Sequence, residues 1–351
     1  MFRPSVGRTK RRLRGVSPPE RSNELRSTKI LATVAMSAVI AAACSSGGTA
    51  APSTAASAPA KAWNLTLIQG VKGDPFYVTM ACGAQAEATK DGAKLTVTGG
   101  DKWDASVQTP VVDSVTASKP DGVMIAPNDG KAMFAPLKAM NDAGVKVTLV
   151  DTGLEDTSFA KGVITSNNAQ GGQVGAQTLA KLIGDKGTVL VVNVDPGITT
   201  TDARVKGFND EMAKHPNITL LPVQFTHDDP TAATSITTST LAAHSDLAGI
   251  FATNVNTAEG VAAALKQVGN SSVKIIAFDA GPKQVQDLKD GVVQGLIAQD
   301  PYQEGILAVQ ASLAALNGQT PTNTQTELAA ITKDNLADPA IKNFLYLSSC
   351  S

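Results

Sequence analysis

The sequence has 351 residues, of which 42% are hydrophobic and 17% are charged, a composition typical of a folded protein with a sizeable core and not of a disordered chain. Its formal net charge is -1, but residues 1–43 hold nine basic and two acidic residues, so the rest of the chain has 21 basic and 29 acidic residues. Because nucleic-acid binding requires a basic face, this acidic remainder argues against a nucleic-acid partner.

The first 43 residues have the pattern of a signal peptide. Basic residues up to Lys29 precede an apolar run, residues 30–43, which has the length of a signal-peptide core and is short for a transmembrane helix. The run ends in Ala41-Ala42-Ala43-Cys44 and resembles the bacterial lipobox, although Ala41 stands where leucine is usual. We therefore expect export and lipidation of Cys44 at the outer face of the cell membrane; the alternative is an ordinary signal peptidase site beside a chance cysteine.

Residues 44–61 are predicted to be a disordered tether. They consist mostly of Ser, Thr, Ala, Pro and Gly, with almost no large apolar side chain. Such a segment cannot bury enough surface to offset its ordering entropy, so we expect it to hold the folded part away from the membrane.

From Asn64 onward, short β-rich apolar runs alternate with longer stretches of helical period. The pattern predicts strands at residues 65–69, 95–98, 122–125, 147–150, 163–165, 189–193, 220–224, 249–252, 274–278 and 295–298. It predicts helices at residues 76–90, 106–118, 131–141, 170–183, 202–214, 231–243, 257–268, 284–289 and 303–316. Runs such as residues 189–192 are apolar on both faces, which indicates a parallel sheet covered by helices on both sides.

About ten strands are too many for one sheet of this kind, so the sequence predicts an α/β fold of two doubly wound parallel-sheet lobes. We expect residues 62–166 plus 300–327 in the first lobe and residues 167–299 plus 328–351 in the second. The chain is expected to cross between lobes near Ser166 and Asn167 and for the third time near residues 327–330. A cleft between two such lobes is a natural ligand site.

Polar and aromatic side chains follow most of the predicted strands, at the carboxyl ends where ligands of α/β sheets bind. They are Lys72, Asp74, Phe76, Tyr77, Asp151, Arg204, His227, Asn254, Asp279 and Gln299. Planar Asp, Asn, Gln and Arg groups can bind neighbouring hydroxyls in pairs, and an aromatic ring can pack on the C–H face of a sugar. An Asp after a strand is also a common helix N-cap, so the indication comes from the agreement of several strand ends.

Short motifs in order over residues 65–330 resemble the ribose-type periplasmic sugar-binding proteins of ABC importers. They are Asp74-Pro75-Phe76-Tyr77, Asp151-Thr152, Arg204-Val205-Lys206-Gly207-Phe208, Asn254, Phe278-Asp279-Ala280-Gly281-Pro282 and Ile297-Ala298-Gln299. The resemblance implies the type I periplasmic binding protein fold with a three-strand hinge. It also implies ligand contacts from Asp74, Phe76, Tyr77, Asp151, Arg204, Asn254, Asp279 and Gln299.

The sequence departs from this family at three positions, which leaves the identity of the sugar or polyol open. Thr152 stands where the family has an arginine, His227 falls where ribose binders place a second phenylalanine, and Lys72 adds a cation near the first loop. The resemblance implies a monomer that delivers its ligand to an ABC permease. The alternative is a sensor that docks to a receptor with a signalling sugar.

Other chemistries find little support in the sequence. The glycines near Gly172 follow no strand directly, so we expect no dinucleotide cofactor, and the histidines are too far apart for a metal site. No nucleophile lies beside a base in a known motif, so we do not expect an enzyme. Cys82 and Cys350 are an even pair once Cys44 is lipidated, and we expect a disulfide from the C-terminal tail to the first helix; the alternative is a buried free Cys82 and a loose Cys350.

Overall fold

The computed structural model describes residues 61–350, so the predictions for the signal peptide, the lipidation of Cys44 and the tether up to residue 60 lie outside the described residues. The strands are β1 (Asn64–Gln69), β2 (Lys94–Gly99), β3 (Gly122–Ile125), β4 (Lys146–Val150), β5 (Val163–Ser166), β6 (Gly187–Asn193), β7 (Ile218–Leu220), β8 (Gln224–Phe225), β9 (Leu247–Ala252), β10 (Lys274–Phe278), β11 (Gly295–Gln299), β12 (Thr324–Thr326) and β13 (Leu328–Ile331). The helices are α1 (Pro75–Lys90), α2 (Ala105–Ser118), α3 (Phe134–Asp142), α4 (Asn168–Leu182), α5 (Thr199–Met212), α6 (Pro230–Ala243), α7 (Val255–Gln267), α8 (Pro282–Asp290) and α9 (Pro301–Leu316), followed by a 3-10 helix (Pro339–Phe344). Within residues 61–350, no helix combines the length and apolar character needed to cross a membrane.

The first lobe is built on a parallel sheet in the order β12-β5-β4-β3-β1-β2. Neighbouring parallel strands need a crossover connection, and α1, α2 and α3 supply these connections between the first four strands. All of β3 and all but the first residue of β4 are buried. This is the burial of strands covered by helices on both faces.

The second lobe repeats this plan with a sheet in the order β13-β11-β10-β9-β6-β7, with β8 also pairing with β6. Strand β13 runs antiparallel to β11, whereas the other described pairs of this sheet are parallel. In its core, Phe208 of α5 stacks on Phe251 of β9 with ring centroids 4.4 Å apart. The two parallel-sheet lobes confirm the predicted fold class.

The described chain passes between the sheets after β5, after β11 and between β12 and β13, and one buried carboxyl group joins these passages. Ser166 and Thr326 each donate a hydroxyl hydrogen bond to Oε1 of Glu304, at 2.7 and 3.1 Å. Burial, followed by the charge of Asp151, raises the pKa of Glu304 to about 8. The group is therefore mainly neutral at pH 7, where it links the three crossings without an unpaired buried charge.

The C-terminal residues return to the first lobe after β13. Cys350 forms a disulfide with Cys82 of α1, across a sequence separation of 268 residues. The predicted second lobe included residues 328–351 as a whole, but the end of this segment is bonded to the first lobe.

Most predicted elements agree with the structure to within two residues at each end, and three differ more. The predicted strand at residues 220–224 is two short strands, because Pro222 lies between them and has no N–H for the ladder. Helix α3 begins at Phe134 because Asp129 Oδ1 instead accepts the N–H groups of Lys131 and Ala132 in a turn. Helix α5 begins at Thr199, before the predicted residue 202, and this places its first threonines at the cleft.

Candidate ligand-binding site

A cavity lies between the lobes, where the carboxyl ends of strands from both sheets meet. Its lining comes from both lobes, and clefts between domains are frequent sites for small molecules. The residues that line it are Asp74, Phe76, Tyr77, Trp103, Asp151, Val194, Ile198, Thr200, Thr201, Arg204, Asp228, Asn254, Asp279 and Gln299.

Aromatic rings form the wall supplied by the first lobe. Asp74 is the N-cap of α1, accepting the N–H of Phe76 at 2.7 Å, and this fixes the first turn of the helix. Phe76 and Tyr77 pack edge to face at 5.1 Å, and Trp103 stacks on Tyr77 at 6.1 Å with 25° between the ring planes. The indole N–H of Trp103 is bonded to the carbonyl of Asn128 at 3.0 Å. The wall is thus a group of rings held in fixed orientations.

Asp151 adds a carboxyl group to this wall directly after β4. It is buried, its φ of 63° lies in the left-handed region, and its Oδ2 accepts the hydroxyl of Tyr77 at 2.6 Å. Burial raises the pKa of Asp151 to about 6, although the Arg204 guanidinium opposes this effect. Asp151 is therefore bonded to the aromatic wall and lies within the electrostatic influence of the cation of the second lobe.

Arg204 is held in the cleft by close packing of α4 against α5. A Cβ on Gly172 would lie 2.0 Å from the carbonyl oxygen of Arg204, so only glycine allows this approach. The guanidinium donates from Nε to Asn168 Oδ1 at 2.8 Å and from Nη1 to the carbonyl of Thr253 at 2.7 Å, and it lies 3.8 Å from the centre of the Phe278 ring. Two of its five N–H groups are used, and the others remain as donors for a ligand.

Asp228 presents a second carboxyl group from the loop after β8. Asn254 donates to its Oδ1 at 2.6 Å, and Asn256 donates to its Oδ2 at 3.0 Å. Burial raises the pKa of Asp228 to about 6, against the lowering effect of these two amides. The amides fix the carboxyl group at the cavity, and Asn254 also caps α7 through the N–H of Thr257.

Asp279 and Gln299 form the part of the wall at the ends of β10 and β11. Oδ1 of Asp279 accepts from Gln299 Nε2 at 2.8 Å and from the Tyr346 hydroxyl at 2.9 Å. Both hydrogen bonds go to the same oxygen, so Oδ2 stays available to a ligand. Asp279 has a φ of 77°, which turns the chain sharply at the strand end.

Two buried polar atoms that line the cavity have no hydrogen-bond partner among the described residues. They are Oγ1 of Thr201 and Oε1 of Gln299. An unpaired buried polar atom costs about 1–3 kcal/mol, and buried groups of this kind normally have a partner. These atoms therefore indicate where a polar ligand would complete the hydrogen bonding.

The cavity is rich in carboxyl groups. Burial, followed by the charges of Asp279 and Asp228, raises the pKa of Asp74 well above its usual value. Among the described residues that line the cavity, Arg204 is the only cation. The site thus offers many hydrogen-bond acceptors, as a ligand with many hydroxyl donors requires.

The mouth of the cleft is closed by contacts between the lobes. Gly130 N–H bonds to the carbonyl of Gly197 at 3.0 Å, and Gly153 N–H bonds to Thr199 Oγ1 at 2.8 Å. Both contacts join a loop of the first lobe to the start of α5 or the loop before it. The structure therefore represents the closed arrangement of the lobes.

The structure brings eight of the ten predicted binding residues to the cavity, namely Asp74, Phe76, Tyr77, Asp151, Arg204, Asn254, Asp279 and Gln299. It places Lys72 and His227 elsewhere. Lys72 forms an exposed ion pair with Asp101 at 2.8 Å. The His227 side chain is 79% exposed, and its Nδ1 lies 2.6 Å from Asp195 Oδ1. The neighbouring Asp228 faces the cavity instead.

Trp103, Asp228, Thr200 and Thr201 also line the cavity, although they are not among the predicted binding residues. Trp103 comes shortly after β2, at a carboxyl strand end like those of the predicted residues. Asp228 is adjacent to His227. The two threonines lay just before the predicted start of a helix that in fact includes them.

Comparisons with known proteins agree with this architecture. A model of the periplasmic binding protein domain matches residues 65–320. A solved ABC transporter solute-binding protein from Agrobacterium vitis, bound with alpha-D-tagatopyranose, is 40% identical with a TM-score of 0.80, and the match covers 81% of this chain and 99% of that one. An Agrobacterium radiobacter solute-binding protein in complex with D-arabinose is 27% identical with a TM-score of 0.78, covering 81% and 99%.

Curated relatives give the same result. The ribose import binding protein RbsB of Bacillus subtilis is 26% identical over 75% of this chain and 85% of its own length. The D-apiose import binding protein of Paraburkholderia graminis is 28% identical over 80% and 91%. The chain therefore belongs to the periplasmic binding protein family, as an extracytoplasmic solute-binding protein of the ABC sugar-importer type and not an enzyme.

Proposed function

We propose that this protein captures one monosaccharide, in its ring form, between its two lobes and delivers it to an ABC permease. The observation that supports this most directly is the composition of the cavity: the first lobe supplies the rings together with Asp74 and Asp151, and the second supplies Arg204, Asp228, Asn254 and Asp279. A sugar ring has apolar C–H faces and a rim of hydroxyls, so it can use both walls at once.

The ligand class follows from the donors and acceptors of the site. Its carboxyl and amide oxygens accept from hydroxyls, and the free N–H groups of Arg204 donate to them. Thr152, at the position of a family arginine, bonds through its hydroxyl to the carbonyl of Pro127 at 2.7 Å and does not line the cavity. With one guanidinium fewer than ribose binders, the site is suited to a pentose or hexose whose hydroxyls act mainly as donors. The similar proteins with bound tagatopyranose and arabinose support this range.

Closure of the lobes is the proposed mechanism of capture. A ligand that contacts both walls binds the closed arrangement better than the open one and so shifts the population toward it. We place the hinge at the three crossings tied by Glu304, which divide the lobes near residues 166, 299 and 327. One chain supplies both walls, so the proposed active form is a monomer. The acidic charge of the chain after residue 43 supports a function without nucleic acid. The import proteins among its relatives favour delivery over the sensor alternative.

The central experiment is a thermal-shift screen followed by calorimetric titration. The panel comprises D-tagatose, D-arabinose, D-ribose, D-apiose, D-fucose and the polyols ribitol and allitol. A ligand at 100 times its Kd raises the free energy of unfolding by about 2.7 kcal/mol, so a true ligand gives a clear rise in Tm. One-to-one binding of a monosaccharide is expected. The absence of a shift with every monosaccharide and polyol would refute the proposal.

We further propose that Cys44 carries the lipid that anchors the protein to the membrane. The small residues before it and the tether after it support this proposal. In bacteria expressing the full chain, the wild type should enter the detergent phase on phase separation, and Cys44→Ser should stay in the aqueous phase. Cys82→Ser is the matched control and should partition like the wild type. A wild type found in the aqueous phase would exclude the anchor.

A further inference from the structure

The last residues of the described chain contact both lobes behind the cavity. This segment, residues 339–350, is called the strap; it begins with the 3-10 helix and ends at Cys350. The family match ends at residue 320, so the strap lies beyond it. Its central residue is Tyr346, which is only 5% exposed.

On the second-lobe side, the Tyr346 hydroxyl bonds to two residues of the ligand site. It donates to Asp279 Oδ1 at 2.9 Å and accepts the backbone N–H of Gln299 at 3.2 Å. The backbone N–H of Tyr346 bonds to the carbonyl of Ala280 at 3.1 Å. Tyr346 is therefore fixed to the loop that presents Asp279 to the cavity.

On the first-lobe side, the strap is attached to α1, the helix that presents the aromatic wall. Leu347 N–H bonds to Thr79 Oγ1 at 2.7 Å, and the Tyr346 ring packs against Phe76 with centroids 5.7 Å apart. The disulfide from Cys350 to Cys82 closes this attachment. The strap thus connects the supports of the two cavity walls.

We propose that Tyr346 is a positioning residue of the ligand site, which orients Asp279 and Gln299 toward the ligand, and that the Cys82–Cys350 disulfide keeps Tyr346 in place. The inference rests on the proposed function, because the ligand is the proposed monosaccharide. Tyr346 and Gln299 both occupy Oδ1 of Asp279, so the carboxyl group cannot rotate freely and Oδ2 is directed to the ligand. Without the hydroxyl, the carboxyl group has more orientations, and binding has to restrict them.

The decisive variant is Tyr346→Phe, which keeps the ring on Phe76 and removes the hydroxyl. The expected result is an approximately tenfold weaker Kd for the ligand found in the screen, equivalent to about 1.4 kcal/mol, since the hydrogen bond that orients the Asp279 carboxyl group is lost. Thr188→Val is the matched control, because it removes a buried hydroxyl bonded to the carboxylate of Asp246 away from the cavity. This control should lower Tm and leave Kd unchanged. A Tyr346→Phe protein that binds as tightly as the wild type would overturn the positioning role.

The disulfide is tested by the double variant Cys82→Ser, Cys350→Ser. It should weaken binding about threefold. In the triple variant that also carries Tyr346→Phe, the loss of binding free energy should be smaller than the sum of the two separate losses, because both changes act through the same side chain. Fully additive effects, or an unchanged Kd in the double variant, would exclude a role of the disulfide in positioning Tyr346.

A readout without sugar separates this inference from the proposed function. Hydrogen exchange at the Gln299 amide should be at least tenfold faster in Tyr346→Phe than in the wild type, because its acceptor is lost. If no sugar binds the wild type, the proposed function fails and this exchange rate alone decides whether Tyr346 holds Gln299. An unchanged rate would refute the inference.

Discussion

The two walls of the cavity differ in composition and in construction. The first-lobe wall presents the rings of Phe76, Tyr77 and Trp103, two of them consecutive in one helical turn, beside two carboxyl groups. The second-lobe wall presents polar groups that come from several strand ends and from α5. Ring contacts are large in area and only weakly directional, whereas hydrogen bonds to Arg204 or Asp279 require a defined hydroxyl arrangement.

This difference suggests a division of labour between the lobes. The aromatic wall can hold many sugars through the C–H faces that they share, whereas the polar wall discriminates among their hydroxyl patterns. Neither wall satisfies a ligand alone, so affinity depends on closure that brings both to the ligand. Variants on the polar wall should therefore cost more binding than variants on the aromatic wall.

The largest effect is expected for Arg204→Ala. The change removes the cation of the polar wall, leaves Asn168 Oδ1 and the Thr253 carbonyl without their donor, and leaves Asp151 without its opposing charge. Calorimetric titration should show binding at least about 100-fold weaker, equivalent to about 2.7 kcal/mol. The matched control is Lys206→Ala, whose ammonium pairs with Asp210 at the exposed surface of the same helix and should leave Kd unchanged. If the folded Arg204→Ala variant binds as tightly as the wild type, Arg204 does not contribute to ligand binding and the proposed polar wall is wrong.

Asp228→Asn should alter the pH dependence of stability. The folded-state pKa of Asp228 is raised from 3.8 to about 6, so its contribution to stability is fully present below pH 3.8 and is lost as pH rises through 6. Between pH 4 and 7, the wild type should therefore lose about 2 kcal/mol of unfolding free energy relative to the variant. Above pH 7, the difference between the two proteins should be constant. Denaturant titrations of the ligand-free proteins at several pH values measure this difference. A difference that does not vary over this interval would indicate that Asp228 is not buried as in the structure.

A smaller effect is expected for Trp103→Ala on the aromatic wall. Loss of the indole removes a ring that supports Tyr77 and lines the cavity, which should weaken binding about tenfold. Trp63 is the matched control of the same residue type, because it directly precedes β1 and does not line the cavity. Trp63→Ala should leave Kd unchanged, and ligand should still alter tryptophan fluorescence in that variant. If Trp103→Ala weakens binding more than Arg204→Ala, the proposed division between the walls is wrong.

The sequence predicts the scaffold well because hydrophobic period and strand-end position follow directly from local composition. The runs near residues 122–125 and 274–278 coincide with β3 and β10, and the polar residues after the strands converge because parallel strands end at one edge. Contacts between distant residues are different in kind. Glu304 meets Ser166, and Tyr346 meets Asp279, only when segments 138 and 67 residues apart in the sequence pack together. No local pattern marks these contacts.

Loop geometry is the second limit of sequence-based prediction. His227 and Asp228 are adjacent, and both have left-handed φ values, 52° and 59°. This turn directs the imidazole outward and the carboxyl group toward the cavity, and a sequence-based choice between two polar neighbours cannot anticipate it. For Lys72, the carboxylate of Asp101 after β2 provides a partner at the surface.

The smallest effects test these two placements. Lys72→Ala and His227→Asn should each change Kd less than twofold, because both side chains are outside the cavity and exposed to solvent. Asparagine is used at residue 227 because it tolerates the left-handed backbone there better than alanine does. Titrations at 0.15 M salt measure these values. Lys72 lies close to Asp74 in the sequence, and His227 lies next to Asp228, which both line the cavity. A tenfold loss of affinity in either variant would therefore mean that the loop turns toward the ligand on binding and adds a residue to the lining of the closed cavity.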